Sequence, residues 1–182
     1  MGWFSEIVEP LRSVEHRYGF AARESNRNMR GTLREAVSSV GSREPAVGLF
    51  VDGPNVLRSE FDVDLDDVHA AAVAVGRPAI VRLYLDEHAT PGLIQAAEAR
   101  GFEVCVTSGD VDVKLAVDAT AAFDDLETLA IASRDTDFKP VLEHAARRGL
   151  ATLAIAPGAH GRSDALRNAA HEAVTLESEP GD

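Results

Sequence analysis

Asp135 and Asp137 stand one residue apart where an apolar run of strand length, Leu129 to Ala132, breaks into Ser-Arg-Asp-Thr-Asp. A helical pattern takes over from Phe138 to Arg148. In an α/β protein the end of a strand, just before its helix, is where ligands meet the sheet. Two carboxylates at such a place can hold a metal ion, or simply cap a helix. Asp137 fits an N-cap, with Pro140 tolerated in the first turn, whereas Asp135 has no such role legible in the sequence. Asp52 closes a second apolar run, Ala46 to Val51, ahead of Gly53-Pro54-Asn55, which reads as a turn. Asp110 and Asp112 open a third helix, where only one of them can be the cap. Lys114 and Asp118, four apart, fit a helical ion pair. Asp118 lies about 120° around that helix from Asp112, so the two do not obviously share one ion.

Each acid taken singly has a structural explanation. Taken together, Asp52, Asp112, Asp135 and Asp137 all fall at strand ends or at the helix starts beside them. Crowded carboxylates raise one another's pKa unless a cation neutralises them. Hard oxygen ligands select Mg²⁺ or Mn²⁺ over zinc, and the histidines at 16, 69, 88, 144, 160 and 171 show no ligand spacing. Such ions activate water and clamp the attacking and leaving oxygens of a phosphodiester, with no protein nucleophile required. The Pro157 to Ser163 stretch offers backbone N–H groups to a phosphate, but a plain loop with Ser163 as cap is the favoured reading.

The elements that must position these acids follow from the pattern between Pro45 and Leu176. Strands are predicted at 46–51, 79–85, 102–106, 128–132 and 151–156. Helices are predicted at 65–75, from Thr90-Pro91 to Arg100, and at 111–123, 137–148 and 163–170. Gly101 and Gly149 close two of them, and a short extended piece follows at 173–176. Strands alternating with helices imply a three-layer α/β/α domain around a mainly parallel five-stranded sheet. If strands one to three build outward on one side, strand four returns beside strand one, giving the order 3-2-1-4-5. The carboxyl ends of strands one and four then flank the crevice, which brings Asp52 and Asp135 together.

Residues 1–44 differ in texture and are expected to form a helical arm. Trp3, Phe4, Ile7, Val8 and Leu11 recur at helical spacing, and a second helix is predicted from about Asn28 to Val40. The arm carries Arg12, Arg17, Arg23, Arg27, Arg30 and Arg34, a solvated face in the simpler reading and an RNA-binding arm in the sharper one. Residues 177–182 are expected to fray. The net charge of -12 argues against a surface that coats nucleic acid broadly. Of 18 basic residues only Lys114 and Lys139 are lysines, against 30 Asp and Glu, so a halophilic host, an archaeon, is expected. Cys105 sits in a strand-like run and reads as a small hydrophobe. No secretion signal and no membrane-spanning stretch are read, so a cytoplasmic protein with no membrane association is expected.

Three blocks carry a resemblance. Val51-Asp52-Gly53-Pro54-Asn55, Gly109-Asp110-Val111-Asp112-Val113-Lys114-Leu115-Ala116-Val117-Asp118 and Ser133-Arg134-Asp135-Thr136-Asp137-Phe138 resemble the signature blocks of NYN domains, in the LabA-like branch of the PIN-like ribonucleases. The likeness runs from about Ala46 to Leu176. It implies a PIN-like sheet and Mg²⁺- or Mn²⁺-dependent RNA cleavage, with Asp52, Asp112, Asp135 and Asp137 as metal-binding acids. Asn55 matches the family's asparagine, and Asp118 a further acidic position supporting the ligands. Where the family usually has Ser-Gly-Asp this chain has Ser133-Arg134-Asp135. A cation there either contacts phosphate or restricts access to the metal. Arg134, Arg162 and Arg167 are the expected RNA contacts, because arginine grips phosphate bidentately. RNA is the implied partner, and a homodimer is compatible with the chain. The competing class is a non-catalytic NYN module that binds RNA or a protein partner and regulates processing.

Overall fold

A computed structural model describes residues 43–57, 63–158 and 164–176. The expectations for the arm, for Arg162 and for the tail lie outside these residues, apart from Arg43 and Glu44. The chain runs β1 (Ala46–Asp52), α1 (Gly53–Val56), α2 (Leu65–Val73), β2 (Arg77–Asp86), α3 (Pro91–Ala99), β3 (Glu103–Thr107) and α4 (Val111–Ala121). It continues through β4 (Thr128–Ala132), α5 (Lys139–Arg147), β5 (Ala151–Pro157), α6 (Asp164–Ala169) and β6 (Glu172–Leu176). Short 3₁₀ turns precede β4 (Phe123–Asp125) and α5 (Thr136–Phe138).

The sheet has the order β3-β2-β1-β4-β5-β6 and every pairing is parallel. The predicted order holds for its first five strands. The predicted count of five is corrected to six: the extended piece near 173–176 pairs with β5 from Glu172 to Leu176. Its mixed sequence, Glu-Ala-Val-Thr-Leu, suits an edge strand that is only half covered.

β1 and β4 are buried along their whole length, as their unbroken apolar runs require of central parallel strands. Alternate residues divide between two cores. Val47, Leu49, Val51, Leu83 and Leu85 pack with Leu65 and Val68 of α2 and Ala97 of α3. Phe50, Tyr84 and Ile131 pack with Leu115 and Ala119 of α4 and Leu142 and Ala145 of α5. Helices therefore cover both faces, giving the three layers. Gly101 (φ 85°) and Gly149 (φ 91°) follow α3 and α5 in the left-handed conformation that ends helices. No helix among the described residues is long and apolar enough to cross a membrane.

Candidate active site

The register between β1 and β4 sets the site. Val51 lies level with Ala132, so the next residues, Asp52 and Ser133, emerge side by side at the carboxyl rim. Neither exposes any surface. The Ser133 hydroxyl donates to Asp52 Oδ2 at 2.7 Å and accepts the Asp135 N–H at 3.0 Å. One serine thus ties the carboxylate ending β1 to the backbone of the loop leaving β4. Sequence reasoning missed it, because a serine at a strand end looks like any loop residue.

The residues after Asp52 form α1, a four-residue helix where a turn was expected. Pro54 opens it in the first turn and Asp52 caps it, accepting the Asn55 N–H on Oδ1 at 3.3 Å. Asn55 Nδ2 also donates to Asp52 Oδ2 at 2.7 Å. Asp52 is therefore a buried carboxylate held by Ser133 and Asn55, with no cationic side chain among those donors. Burial pushes its pKa up, the bonds from Ser133 and Asn55 pull it down, and the charge of Asp135 raises it again; the net direction is upward.

The capping assignments at the other two rim segments resolve differently. Asp110 is the N-cap of α4, its carboxylate accepting the N–H groups of Asp112 at 3.0 Å and Val113 at 3.4 Å. Asp112 is spared that role. Half-buried, it has its carboxyl pushed up to about 6, first by burial and then by the charges of Asp52, Asp135, Asp110 and Asp137. Asp137 was expected as a helix cap, and this is corrected. The 3₁₀ turn at Thr136–Phe138 intervenes, and Asp135 caps it by accepting the Asp137 N–H at 2.9 Å. The residue preceding α5 is Phe138, which makes no side-chain cap bond.

Asp118 faces elsewhere. Lys114 Nζ bonds both its oxygens at 2.7 and 2.8 Å, and the Tyr84 hydroxyl donates to Oδ2 at 3.0 Å. Partial burial pushes its pKa up, but the bonds from Lys114 and Tyr84 outweigh this and hold it below the usual carboxylate range. The expected ion pair with Lys114 is present. Tyr84, wholly buried beneath Asp118, went unrecognised because a tyrosine in a strand reads as core. Arg134 lies in the rim loop between Ser133 and Asp135. Arg167 lies on α6, which packs beside the 3₁₀ turn, and pairs with Asp164 at 3.6 Å.

The donor set at this rim is all hard oxygen, and the mutual charge of four carboxylates around Asp112 is what a divalent cation would relieve. As they stand, no three Asp, Glu, His or Cys side chains among the described residues are grouped to hold an ion. The set fits Mg²⁺ or Mn²⁺ in donor chemistry and in charge.

A parallel α/β sheet with acids gathered at the carboxyl ends of two adjacent central strands defines the class: a PIN-like domain. Residues 46–177 match the NYN domain, and the chain belongs to that family, part of the PIN-like nuclease superfamily. An uncharacterized protein of Methanocaldococcus jannaschii is 40% identical over 139 residues, 75% of this chain. The chain spans 57% of the length of that relative. A crystal structure of a protein of unknown function from Vibrio parahaemolyticus superposes with a TM-score of 0.65 at 20% identity. That match covers 75% of this chain and 96% of the other, and it concerns the fold.

Proposed function

We propose that this rim is the catalytic centre of a Mg²⁺- or Mn²⁺-dependent RNA endonuclease of the LabA-like branch. Asp52, Asp112, Asp135 and Asp137 would hold the ion. The observation that carries the reading is the Asp52–Ser133–Asp135 link with Asp112 facing it. A buried carboxylate with half-buried acids repelling one another beside it is costly to a fold, and such groups gather where chemistry needs them. Bound there, the cation would supply polarisation of the scissile phosphate and activation of water.

The chain's own residues prepare for that. Ser133 and Asn55 fix the orientation of Asp52, and the side-chain amide of Asn55 reaches toward the crevice from the same turn. The Asp112 carboxyl, ionising near pH 6, holds a proton below that pH and releases it above. Asp118, engaged by Lys114 and Tyr84, steadies α4 without ligating. Arg134, Arg162 and Arg167 are the proposed phosphate contacts. With a net charge of -12 the protein exerts no long-range pull on RNA, so local arginines must supply the grip. We further infer a halophilic host, from its 30 acidic residues and two lysines, and a cytoplasmic location.

The test is cleavage of single-stranded and structured RNA with Mg²⁺ or Mn²⁺ across a range of salt, wild type beside Asp135→Asn. The expected result is metal-dependent cutting by wild type and at least a hundredfold loss in the variant. That no three acidic side chains among the described residues stand close enough together to hold an ion favours a second reading, a non-catalytic module that binds RNA or a protein partner in RNA processing, alone or as a homodimer. Activity equal in both proteins, or absent in both at every salt, would select it.

A further inference from the structure

A cavity of about 210 Å³ opens at the same rim, on the opposite face of the sheet from the acids. Its walls are Gly53, Pro54 and Leu57 of the α1 segment, Leu85 at the end of β2, Ala89 ahead of α3 and Leu93 in its first turn. Asp86, His88 and Thr90 supply its polar groups. Leu85 belongs to the α2–α3 core, whereas Asp52 follows the parity of Phe50 toward α4. The acids and the cavity thus lie on the two flanks of α1, and α1 is part of both.

α1 sits flush on the sheet. A Cβ at Gly53 would fall 2.4 Å from Leu85 Cδ2 and 2.5 Å from the Tyr84 carbonyl oxygen, so only glycine lets the backbone lie that low. The far wall is a built loop: Asp86 Oδ1 accepts the His88 N–H at 2.9 Å, and Thr90 Oγ1 accepts the Leu93 N–H at 3.3 Å.

The lining selects its occupant by chemistry. It contains no Lys or Arg and does contain the carboxylate of Asp86, so it does not suit a phosphate. It offers the faces of Pro54 and of the exposed His88 ring, aliphatic walls, and a few polar atoms at the mouth. Drug-sized ligands occupy about 300–1,000 Å³, so this smaller volume suits one heteroaromatic ring system rather than a whole nucleotide. Single-stranded RNA is recognised by unstacking a base onto such surfaces and hydrogen-bonding its edge. We propose that the cavity between α1 and the β2–α3 loop seats a nucleobase of the RNA whose backbone lies at the acidic rim, and that it sets base preference beside the cut. This rests on the nuclease reading.

The test compares the full chain with Ala89→Phe, which fills the cavity, and His88→Ala, which removes an exposed ring and spares the core. The probes are a fluorescein-labelled single-stranded oligoribonucleotide of mixed sequence and its abasic counterpart. Affinity is read by anisotropy in chelator and in Mg²⁺, beside cleavage of the same strand. Wild type should prefer the base-bearing strand by about 5- to 150-fold, the range of one stacked base, and both variants should lose most of that preference. Folded variants that cleave RNA with the preference intact would overturn the base site and leave the nuclease standing. An equal loss on base-bearing and abasic strands would overturn it too, making the cavity wall a backbone contact. A wild type that neither binds nor cuts either strand would remove the nuclease reading, and the base site with it.

Discussion

Asp112 gives the sharpest test of the electrostatics at the rim. Its carboxyl ionises at about 6 in the folded chain against an ordinary value of 3.8, through burial first and then the charges of Asp52, Asp135, Asp110 and Asp137. A raised folded value means that the protonated form favours the fold. The contribution is complete below about pH 4 and is lost as pH rises through about 6. At about 1.36 kcal/mol per pH unit the full effect is about 3 kcal/mol. Partial exposure screens it, so about 1–2 kcal/mol is the fair expectation. Asp112→Asn removes the ionisable group while keeping the shape. In chelator at pH 7.5 the variant should be the more stable protein, melting higher by about 2–4 °C per kcal/mol. At pH 4 the two should melt together. Mg²⁺ or Mn²⁺ should then raise wild type selectively, because an ion that binds only the folded state stabilises it by mass action. The assay is thermal melting followed by circular dichroism from pH 4 to 8, with and without metal. A variant less stable than wild type at pH 7.5 in chelator, or a gap that does not grow from pH 4 to 7, would refute the reasoning.

Ser133→Ala removes a charge-assisted bond to buried Asp52 and the acceptor of the Asp135 N–H; it should cost about 1.5–3 kcal/mol, seen as a lower urea midpoint with unchanged slope. Gly53→Ala drives a Cβ against the Tyr84 carbonyl, which cannot swing aside; a loss of about 1–3 kcal/mol is expected, and an unchanged midpoint would show that α1 can lift. Dialysis into low salt should unfold the protein if its 30 acids are matched to a saline cytoplasm; an unaltered circular-dichroism spectrum there would exclude a halophilic host.

How far the sequence reached depends on how local each signal is. β4 was legible at its observed bounds, Thr128–Ala132, because a short apolar run stands between polar segments. The meeting of Asp52 and Asp135 followed from topology, since β4 had to return beside β1. Which acid caps which helix was not legible. Asp110 and Asp112 are equivalent on paper, and the extended backbone of Asp110 (φ -70°, ψ 117°) decides between them. Asp135 displaces Asp137 because a 3₁₀ turn, indistinguishable in sequence from the first turn of an α-helix, comes first. Ser133 and Tyr84 act through partners 81 and 34 residues away, and no single-sequence periodicity carries that information. β6 was legible only as a short extended piece and not as a sixth strand, because its residues are mostly half covered and the apolar alternation of an inner strand is missing.

The place of β1 at the middle of the sheet has a consequence for how the chain is made. Its register with β4 joins Val47 to Thr128, which leaves the ribosome about 80 residues later. At about 5–20 residues per second that delay is about 4–16 s. During it β1 can pair only with β2, and that pair with β3, while α2 and α3 cover one face. Phe50 and Tyr84, on the other face, wait for α4 and α5. The emerging polypeptide therefore passes through a half-sheet with an open apolar edge and flank, the kind of intermediate that chaperones hold and that aggregates without them. Pairing across so long a span also makes the final step slow. Asp52 remains an ordinary hydrated carboxylate until Ser133 arrives beside it. The acidic rim comes into existence only when β4 docks beside β1.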